Sequence, residues 1–366
     1  MLIGLPREIK ESERRVALTP DSVGELLAHG HVVRVHTGAG RGAGFADAEY
    51  RAAGGTIVSN AAATFDVDLV VKVKEIQAGE WKQLRPDSML FSFLQLGADH
   101  IMANELLARR VTGISFETVA DASRRLAILS PMSVIAGEMA IQIGANLLMT
   151  PDTGRGVAIG DARVVIVGAG NAGAAAATMA LALGADVTVL APVGQRLALL
   201  AHKFGLNART IAINPDALTT ALHGADLVIG AANIAGRATP KLLTRTHLQS
   251  MGPGAVLIEI CIDGGGISET AHTTTHAAPT YIEEGVVHYC VANMPAALPR
   301  SASIALSNAV LPYVLALADK GLLQAMRDDT GLVSGLQMYG GHVTHAAVAA
   351  ELGLPCADLD ALLFSC

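Results

Sequence analysis

The stretch VVIVGAGNAG, Val164 to Gly173, constrains the fold of this chain more than any other. Four β-branched residues run straight into Gly168-x-Gly170-x-x-Gly173. Ala174 to Leu183 is Ala-rich and helix-forming, and a second apolar run follows, Ala185-Asp-Val-Thr-Val-Leu190. Strand, glycine turn, helix and strand within about thirty residues is the context of a dinucleotide fingerprint. Gly168 permits the tight turn, Gly170 lets the backbone approach a pyrophosphate, and Gly173 lets helix and strand pack closely. The helix start, Asn171 and Ala172 included, points N–H groups at a phosphate. The end of the second strand, where a carboxylate would hold the ribose hydroxyls, is Ala191.

At 366 residues the chain has room for two domains. Aromatics are only 4% and glycines number 38, which favours an α/β protein with close helix–sheet packing over an all-β sandwich. A net charge of −7 without a basic cluster argues against nucleic acid as a partner. Cys261, Cys290, Cys356 and Cys366 have no CxxC spacing, so a reduced cytoplasmic protein is expected. The start, MLIGLPREIK, lacks a signal-peptide layout. The most apolar window, Gly173 to Leu190, contains Gly184 and Asp186 and reads as buried helix and strand, so no membrane span is expected.

Residues 1–127 form a βαβ series of their own, hence a parallel sheet. Expected strands are Leu2–Leu5, Val32–Val35, Leu69–Val73, Met89–Leu94 and Thr112–Phe116; Ser22–His29 is a helix capped by Thr19 or Asp21. Ser133–Leu148 reads as one long helix. Later strands are Leu227–Gly230, Ala255–Ile260 and Val287–Val291, and from Ser303 onward the pattern is helical. The expected architecture is discontinuous. A substrate domain comprises residues 1–127 and 300–366, with a dinucleotide domain, residues 128–299, inserted in it.

Three constellations can carry chemistry. Glu13-Arg14-Arg15 follows the first strand, and parallel sheets place ligands at the carboxyl ends of strands. Arg15 there suits a bidentate clamp on a carboxylate; the alternative is a solvated charge cluster. Lys72 and Lys74 close the strand Leu69–Val73 on one face and either hold a carboxyl or carbonyl oxygen or simply reach solvent. Asp263 precedes Gly264-Gly-Gly266, where a carboxylate suits acid–base work or ammonium binding; the alternative is an Asx-turn. The pairs His272/His276 and His342/His345 have ligand-like spacing but no Cys or acidic partner, so no metal site is expected.

Together these residues resemble the alanine dehydrogenase family and its relative, the nucleotide-binding first segment of proton-translocating transhydrogenase. The resemblance runs nearly end to end: Pro6-Arg-Glu8, Arg15-Val-Ala-Leu-Thr-Pro20, Thr37-Gly-Ala-Gly40, Leu69 to Glu75, Phe116-Glu-Thr-Val119, Ser130-Pro-Met-Ser133, the glycine turn, Ala225 to Gly230 and Val291-Ala-Asn-Met-Pro295. It implies two Rossmann-like domains with a cleft between them and a homo-oligomer, a hexamer or dimer. It implies NAD or NADP as cofactor, and reversible oxidative deamination of a small amino acid to a 2-oxo acid and ammonium. By position it implies Arg15 and Lys74 as substrate carboxylate and carbonyl binders and Asp263 as the active-site carboxylate. Ser133, Gly168, Gly170 and Gly173 fall at phosphate contacts, Asn293 and Met294 near the nicotinamide, and Ile262 and Val291 at its backbone-lined contacts.

Two departures stand out. The family's catalytic histidine lies in Phe-Leu-His-Leu, and this chain has Phe93-Leu-Gln95-Leu96. Glutamine hydrogen-bonds a carbonyl or water but does not shuttle a proton near neutral pH, a service worth about 10²–10⁴-fold. Lys74 or Asp263 is the candidate to take over as base. Ala191 stands where NAD users of the family carry an acid, and Arg196, five residues on, can pair with a 2′-phosphate. The leading expectation is therefore an NAD(P)-dependent oxidoreductase of altered acid–base chemistry. The alternatives are a lyase or cyclodeaminase-like enzyme with a retained nucleotide, or a non-catalytic binding homologue.

Overall fold

The short β-branched runs become strands of two separate sheets. The computed structural model describes residues 1–232 and 239–364, and the chain divides into two units, Met1–Met132 with the segment from Ala296 onward, and Ser133–Pro295. The divisions lie five residues after 127 and four before 300, the sequence-based boundaries (132 − 127 and 300 − 296).

In the first unit the strands are β1 (Leu2–Leu5), β2 (Val32–His36), β3 (Thr56–Val58), β4 (Leu69–Val71), β5 (Met89–Ser92) and β6 (Thr112–Ser115). Two more come from the end of the chain, β14 (Leu336–Tyr339) and β15 (His342–Val343). Their order is β15-β14-β6-β5-β4-β1-β2-β3. All pairs from β6 to β3 are parallel; β14 adds antiparallel to β6 and to β15. This hairpin corrects the all-helical expectation for the C-terminal part: Leu336 and Met338 face the core from a strand, and Gly340-Gly341, both with positive φ, make the turn. The chain winds outward from β1 through β2 to β3, then restarts at β4 on the other side of β1. That reversal leaves the carboxyl ends of β1 and β4 side by side as a switch point.

The second unit holds β7 (Arg163–Val167), β8 (Asp186–Ala191), β9 (Ala208–Ala212), β10 (Leu227–Gly230), β11 (Val256–Glu259), β12 (Thr280–Glu283) and β13 (Val286–Tyr289). Their order is β12-β13-β11-β10-β7-β8-β9, parallel except for the hairpin β12–β13. Both faces are covered. Val164, Ile166, Val187, Val189, Leu227 and Ile229 enter one core cluster; Val165, Val167, Leu190 and Val228 enter another on the opposite face. A strand buried on both sides has no polar face to show, which is why these runs are continuously apolar.

Helix Pro20–Ala28 starts at Thr19, whose Oγ1 accepts from the Ser22 amide. The predicted Ser133–Leu148 helix runs Leu129–Leu148, one turn longer at its start. The helical C-terminal pattern is a 30-residue span, Pro299–Asp328, broken at Gly321, where φ is +74°. Its apolar composition and length would suffice to cross a membrane. Here Ala302, Leu306, Val310, Val314 and Leu317 of that helix are buried in the first unit.

Candidate functional site

Arg15, Lys74 and Gln95 follow β1, β4 and β5, three neighbouring strands, at their carboxyl ends. Arg15 is not part of a solvated cluster. Arg14 is exposed, but Arg15 and Glu13 are buried and joined bidentately, Nε to Oε1 at 2.8 Å and Nη2 to Oε2 at 2.6 Å. Glu13 Oε1 also accepts the Arg15 amide, so the carboxylate fixes both ends of the residue. The backbone after it is pinned by the Pro299–Asp328 helix: Ser303 Oγ accepts from the Val16 amide and Ser307 Oγ from the Thr19 amide, both at 2.9 Å. Just beyond the ends of β1 and β2 lies a cavity of about 1060 Å³, lined by Arg7, Glu8, Glu13, Arg15, Thr37 and Asp47 among others.

The two lysines differ from expectation and from each other. β4 stops at Val71, so both lie past the strand, and both are buried rather than reaching solvent. Lys72 is consumed by structure: its ammonium bonds Glu80 Oε2 at 2.9 Å and the Glu75 carbonyl at 3.2 Å and stands 3.5 Å from Glu8 Oε2. Burial depresses its pKa, but Glu8 and Glu80 outweigh that and hold it above the ordinary value. Lys74 has no ion-pair partner among the described residues. Burial, reinforced by the Arg15 and Lys10 charges, pushes its pKa down. Glu13 and Glu75 offset this only in part, so Lys74 stays destabilised as a cation, and an anion beside it would relieve the repulsion from Arg15.

Gln95 is exposed and sits at φ +46°, ψ +38°, a left-handed turn. Phe91 and Phe93 both pack edge-on against Phe116, at 4.6 and 5.2 Å between centroids, which brings Glu117 under this turn. The Glu117 carboxylate accepts from the Leu94 amide at 3.2 Å, from the Gln95 amide and from the Ser115 hydroxyl. Its Oε1 is shielded and has no hydrogen-bond partner among the described residues. Burial pushes this carboxyl up. Sequence reasoning noted Phe116-Glu-Thr-Val119 only as a motif, and Ser303, Ser307 and Glu117 went unassigned.

The second unit supplies the glycine turn at its own switch point, between β7 and β10. Gly168 has φ +123°, and a Cβ there would lie 2.4 Å from the Ala231 carbonyl oxygen. At Gly173 a Cβ would lie 1.9 Å from the Gly168 carbonyl oxygen. Gly170, by contrast, is open, with only Arg196 Nη1 at 3.6 Å. The helix Asn171–Ala182 starts there without a side-chain cap or an acidic residue in its first turn. A closed turn, an open second glycine and an uncapped helix start are what a pyrophosphate requires, so these residues fit a dinucleotide. Asn171 is exposed and Ala172 half-buried, its carbonyl against Gly137. Ser133 is the fifth residue of Leu129–Leu148. Ala191 ends β8, and Arg196 is exposed on the next helix, Gln195–Phe204.

Asp263 lies in the short helical turn Ile262–Gly264 after β11 and is exposed. Its carboxylate makes no hydrogen bond among the described residues, which sets aside the Asx-turn alternative. The loop carrying it is braced from below by Glu259, fully buried, whose oxygens accept the Ser268 and Ile267 amides at 2.8 and 3.1 Å. Ile262 and Val291 are buried, so they offer a ligand their backbone only. Met294, at 2% exposure, belongs to the core, and its neighbour Asn293 holds φ +56°. Cys261, Cys290 and Cys356 are free thiols; Cys366 lies outside the described residues. Burial pushes the Cys261 thiol up to about 12, so it is no nucleophile beside Asp263. His272 stacks on Tyr281 at 3.7 Å, and among the described residues no group of three His, Cys, Asp or Glu side chains is placed to hold a metal.

A discontinuous α/β chain with a dinucleotide turn in one unit and a buried Arg–Lys pair at the switch point of the other has the build of a two-domain nucleotide-dependent enzyme. The family models for the alanine dehydrogenase/PNT N-terminal and C-terminal domains match residues 4–136 and 140–346. Alanine dehydrogenase of Bacillus subtilis (strain 168) is 44% identical over 360 residues, 96% of this chain and 95% of that protein. Alanine dehydrogenase of Halomonas elongata is 44% identical over 370 residues, 99% of this chain and all of its own. A solved L-alanine dehydrogenase superposes with TM-score 0.92 at 41% identity, covering 96% of this chain and 99% of its own. The transhydrogenase from Sinorhizobium meliloti, 24% identical with TM-score 0.80 over 95% of this chain and all of its own, shares the fold. The chain belongs to the alanine dehydrogenase/PNT family.

Proposed function

We propose that this chain is a nicotinamide-dinucleotide-dependent oxidoreductase that interconverts a small amino acid with its 2-oxo acid and ammonium. The observation that carries the reading is the buried Arg15–Glu13 clamp with the desolvated Lys74 beside it. Glu13 already pairs with Arg15 and holds its guanidinium in place, whereas the buried Lys74 has no ion-pair partner among the described residues, and a carboxylate substrate supplies that charge. A bound nicotinamide dinucleotide supplies acceptance of the hydride from the substrate Cα; the glycine turn, Ser133, Asn293 and the Ile262 and Val291 backbones would hold it. Everything else falls to the protein's own groups. Arg15 takes the substrate carboxylate. Lys74, as ammonium, donates to the oxo oxygen, and its lowered pKa brings the neutral form closer to working pH, as a base requires. Asp263 takes the proton of the water that adds to the imine, or holds the ammonium that leaves. Gln95 hydrogen-bonds water or carbonyl without titrating, so the proton route differs from that of relatives with histidine there. A cytoplasmic, homo-oligomeric state, hexamer or dimer, belongs to the same proposal.

The test follows reduced-dinucleotide absorbance with pyruvate plus ammonium, then with larger 2-oxo acids. Oxidation that needs both ammonium and oxo acid, and is lost in Arg15→Ala, is the expected result. Turnover of an amino-acid derivative without net change in dinucleotide absorbance would instead mean a lyase-type reaction and overturn the reading.

A further inference from the structure

The adenosine end of the dinucleotide site departs from the rest of the glycine turn in its charge. We propose that this end accepts a 2′-phosphate, making NADPH rather than NADH the preferred nucleotide, with Arg196 as the phosphate-binding residue. The inference rests on the dinucleotide-dependent reading above and deepens it.

Three independent observations converge. The first is a missing repulsion. In this fold the residue closing the second strand carries the carboxylate that bonds the ribose hydroxyls and repels a 2′-phosphate. Here it is Ala191, the last residue of β8, 4% exposed. Nothing nearby in the chain replaces it, since no Asp or Glu occurs between Asp186 and Asp216. The second is a spare cation. That same stretch contains Arg196, Lys203 and Arg209. Lys203 is bonded to Thr178 Oγ1 at 3.0 Å, and Arg209 is paired with Asp186 at 2.6 Å. Arg196 has no ion pair or hydrogen bond among the described residues, and its Nη1 reaches to 3.6 Å from where a Cβ would sit on Gly170. The guanidinium therefore stands beside the phosphate turn.

The third is open space with free donors. The helix Gln195–Phe204 starts at Gly194, which provides no side-chain cap, and its first turn has no acidic residue. A Cβ on Gly194 would meet nothing within 4 Å, and Val193 before it is 85% exposed. Ten residues of helix end in unsatisfied N–H groups next to a free guanidinium. A phosphate dianion can accept from both; a bare 2′-hydroxyl finds neither the carboxylate acceptor nor a charge to pair with.

The experiment is a fluorescence titration of the full chain with NADPH and with NADH, and with 2′,5′-ADP and 5′-ADP as competitors. Binding of NADPH about ten- to a hundredfold tighter than NADH is expected, the size of one or two charge-assisted hydrogen bonds. Arg196→Gln closes that gap, Arg196→Lys keeps part of it, and Ala191→Asp reverses it; 2′,5′-ADP competes better than 5′-ADP. The lysine variant keeps the charge and guards against loss of folding as the cause. NADH binding as tightly as NADPH, with a ratio unmoved in Arg196→Gln, overturns the assignment while leaving the dehydrogenase reading standing. Failure of both nucleotides to bind overturns the two together.

Discussion

Replacing Ser303 with alanine separates the positioning of Arg15 from its chemistry. Ser303 is fully buried, and its Oγ accepts the Val16 amide at 2.9 Å while donating to the Pro299 carbonyl at 2.6 Å. Alanine leaves the carbonyl its helical partner but strands the Val16 N–H, which burial denies to water. An unsatisfied buried donor costs about 1–3 kcal/mol. Taking roughly 2 kcal/mol, the first unit should melt roughly 4–8 °C lower. The larger consequence is local. Val16 directly follows Arg15, so a backbone free to move by even a fraction of an ångström loosens the clamp held by Glu13. KM for the 2-oxo acid should rise about tenfold, equivalent to about 1.4 kcal/mol, with kcat changed less. The assay pairs a thermal melt with oxo-acid saturation curves and amide exchange at Val16. A lower melting temperature with KM unchanged would refute the reasoning, because Arg15 would then hold its place without the helix behind it.

Three further outcomes follow from the same geometry. Because the Lys74 pKa is pushed down, its charge is lost at lower pH than for an ordinary lysine; kcat/KM for the oxo acid should fall on the alkaline side, and Lys74→Arg should move that limb upward. Gly168→Ala places a Cβ 2.4 Å from the Ala231 carbonyl oxygen at φ +123°, and dinucleotide titration should show binding lost by two orders of magnitude or so with the first unit's melt unaffected. Burial raises the Glu117 pKa, so its neutral form is favoured on folding; the stability this lends is full below the unfolded pKa and is lost as pH rises through the folded one. Denaturation of Glu117→Gln from pH 4 to 8 should therefore show a flatter decline than the parent, and an identical profile would count against a buried, protonation-sensitive carboxyl.

What the sequence disclosed was whatever is local. The strand–turn–helix around Gly168 is written in consecutive residues, and the continuous apolar runs of β7, β10 and β11 announce a sheet covered on both sides. β9 was missed because Ala208-Arg-Thr-Ile-Ala212 is only half-buried at the sheet edge and lacks a strong pattern. β14 was missed because its partner, β6, lies more than two hundred residues earlier, and its own run, Leu336-Gln-Met-Tyr339, is short. At the site, Arg15 and Lys74 were legible as residue types at strand ends. Their difference from Arg14 and Lys72 was not, since spacing does not show which cation meets a carboxylate. Lys72 finds Glu8 and Glu80; at Lys74, burial and the charges of Arg15 and Lys10 outweigh the weaker pull of Glu13 and Glu75. Ser303 and Ser307 read as ordinary small helix residues until the fold brings them against Val16 and Thr19.

That last contact also orders events in time. The Arg15 loop is locked by groups 287 and 288 positions further along the chain. During synthesis the ribosome must deliver the whole of the interposed nucleotide unit, a contiguous stretch with its own core, before either serine exists. The unit that carries Arg15 is thus completed last, and any nascent chain halted before residue 303 carries an unlatched arginine.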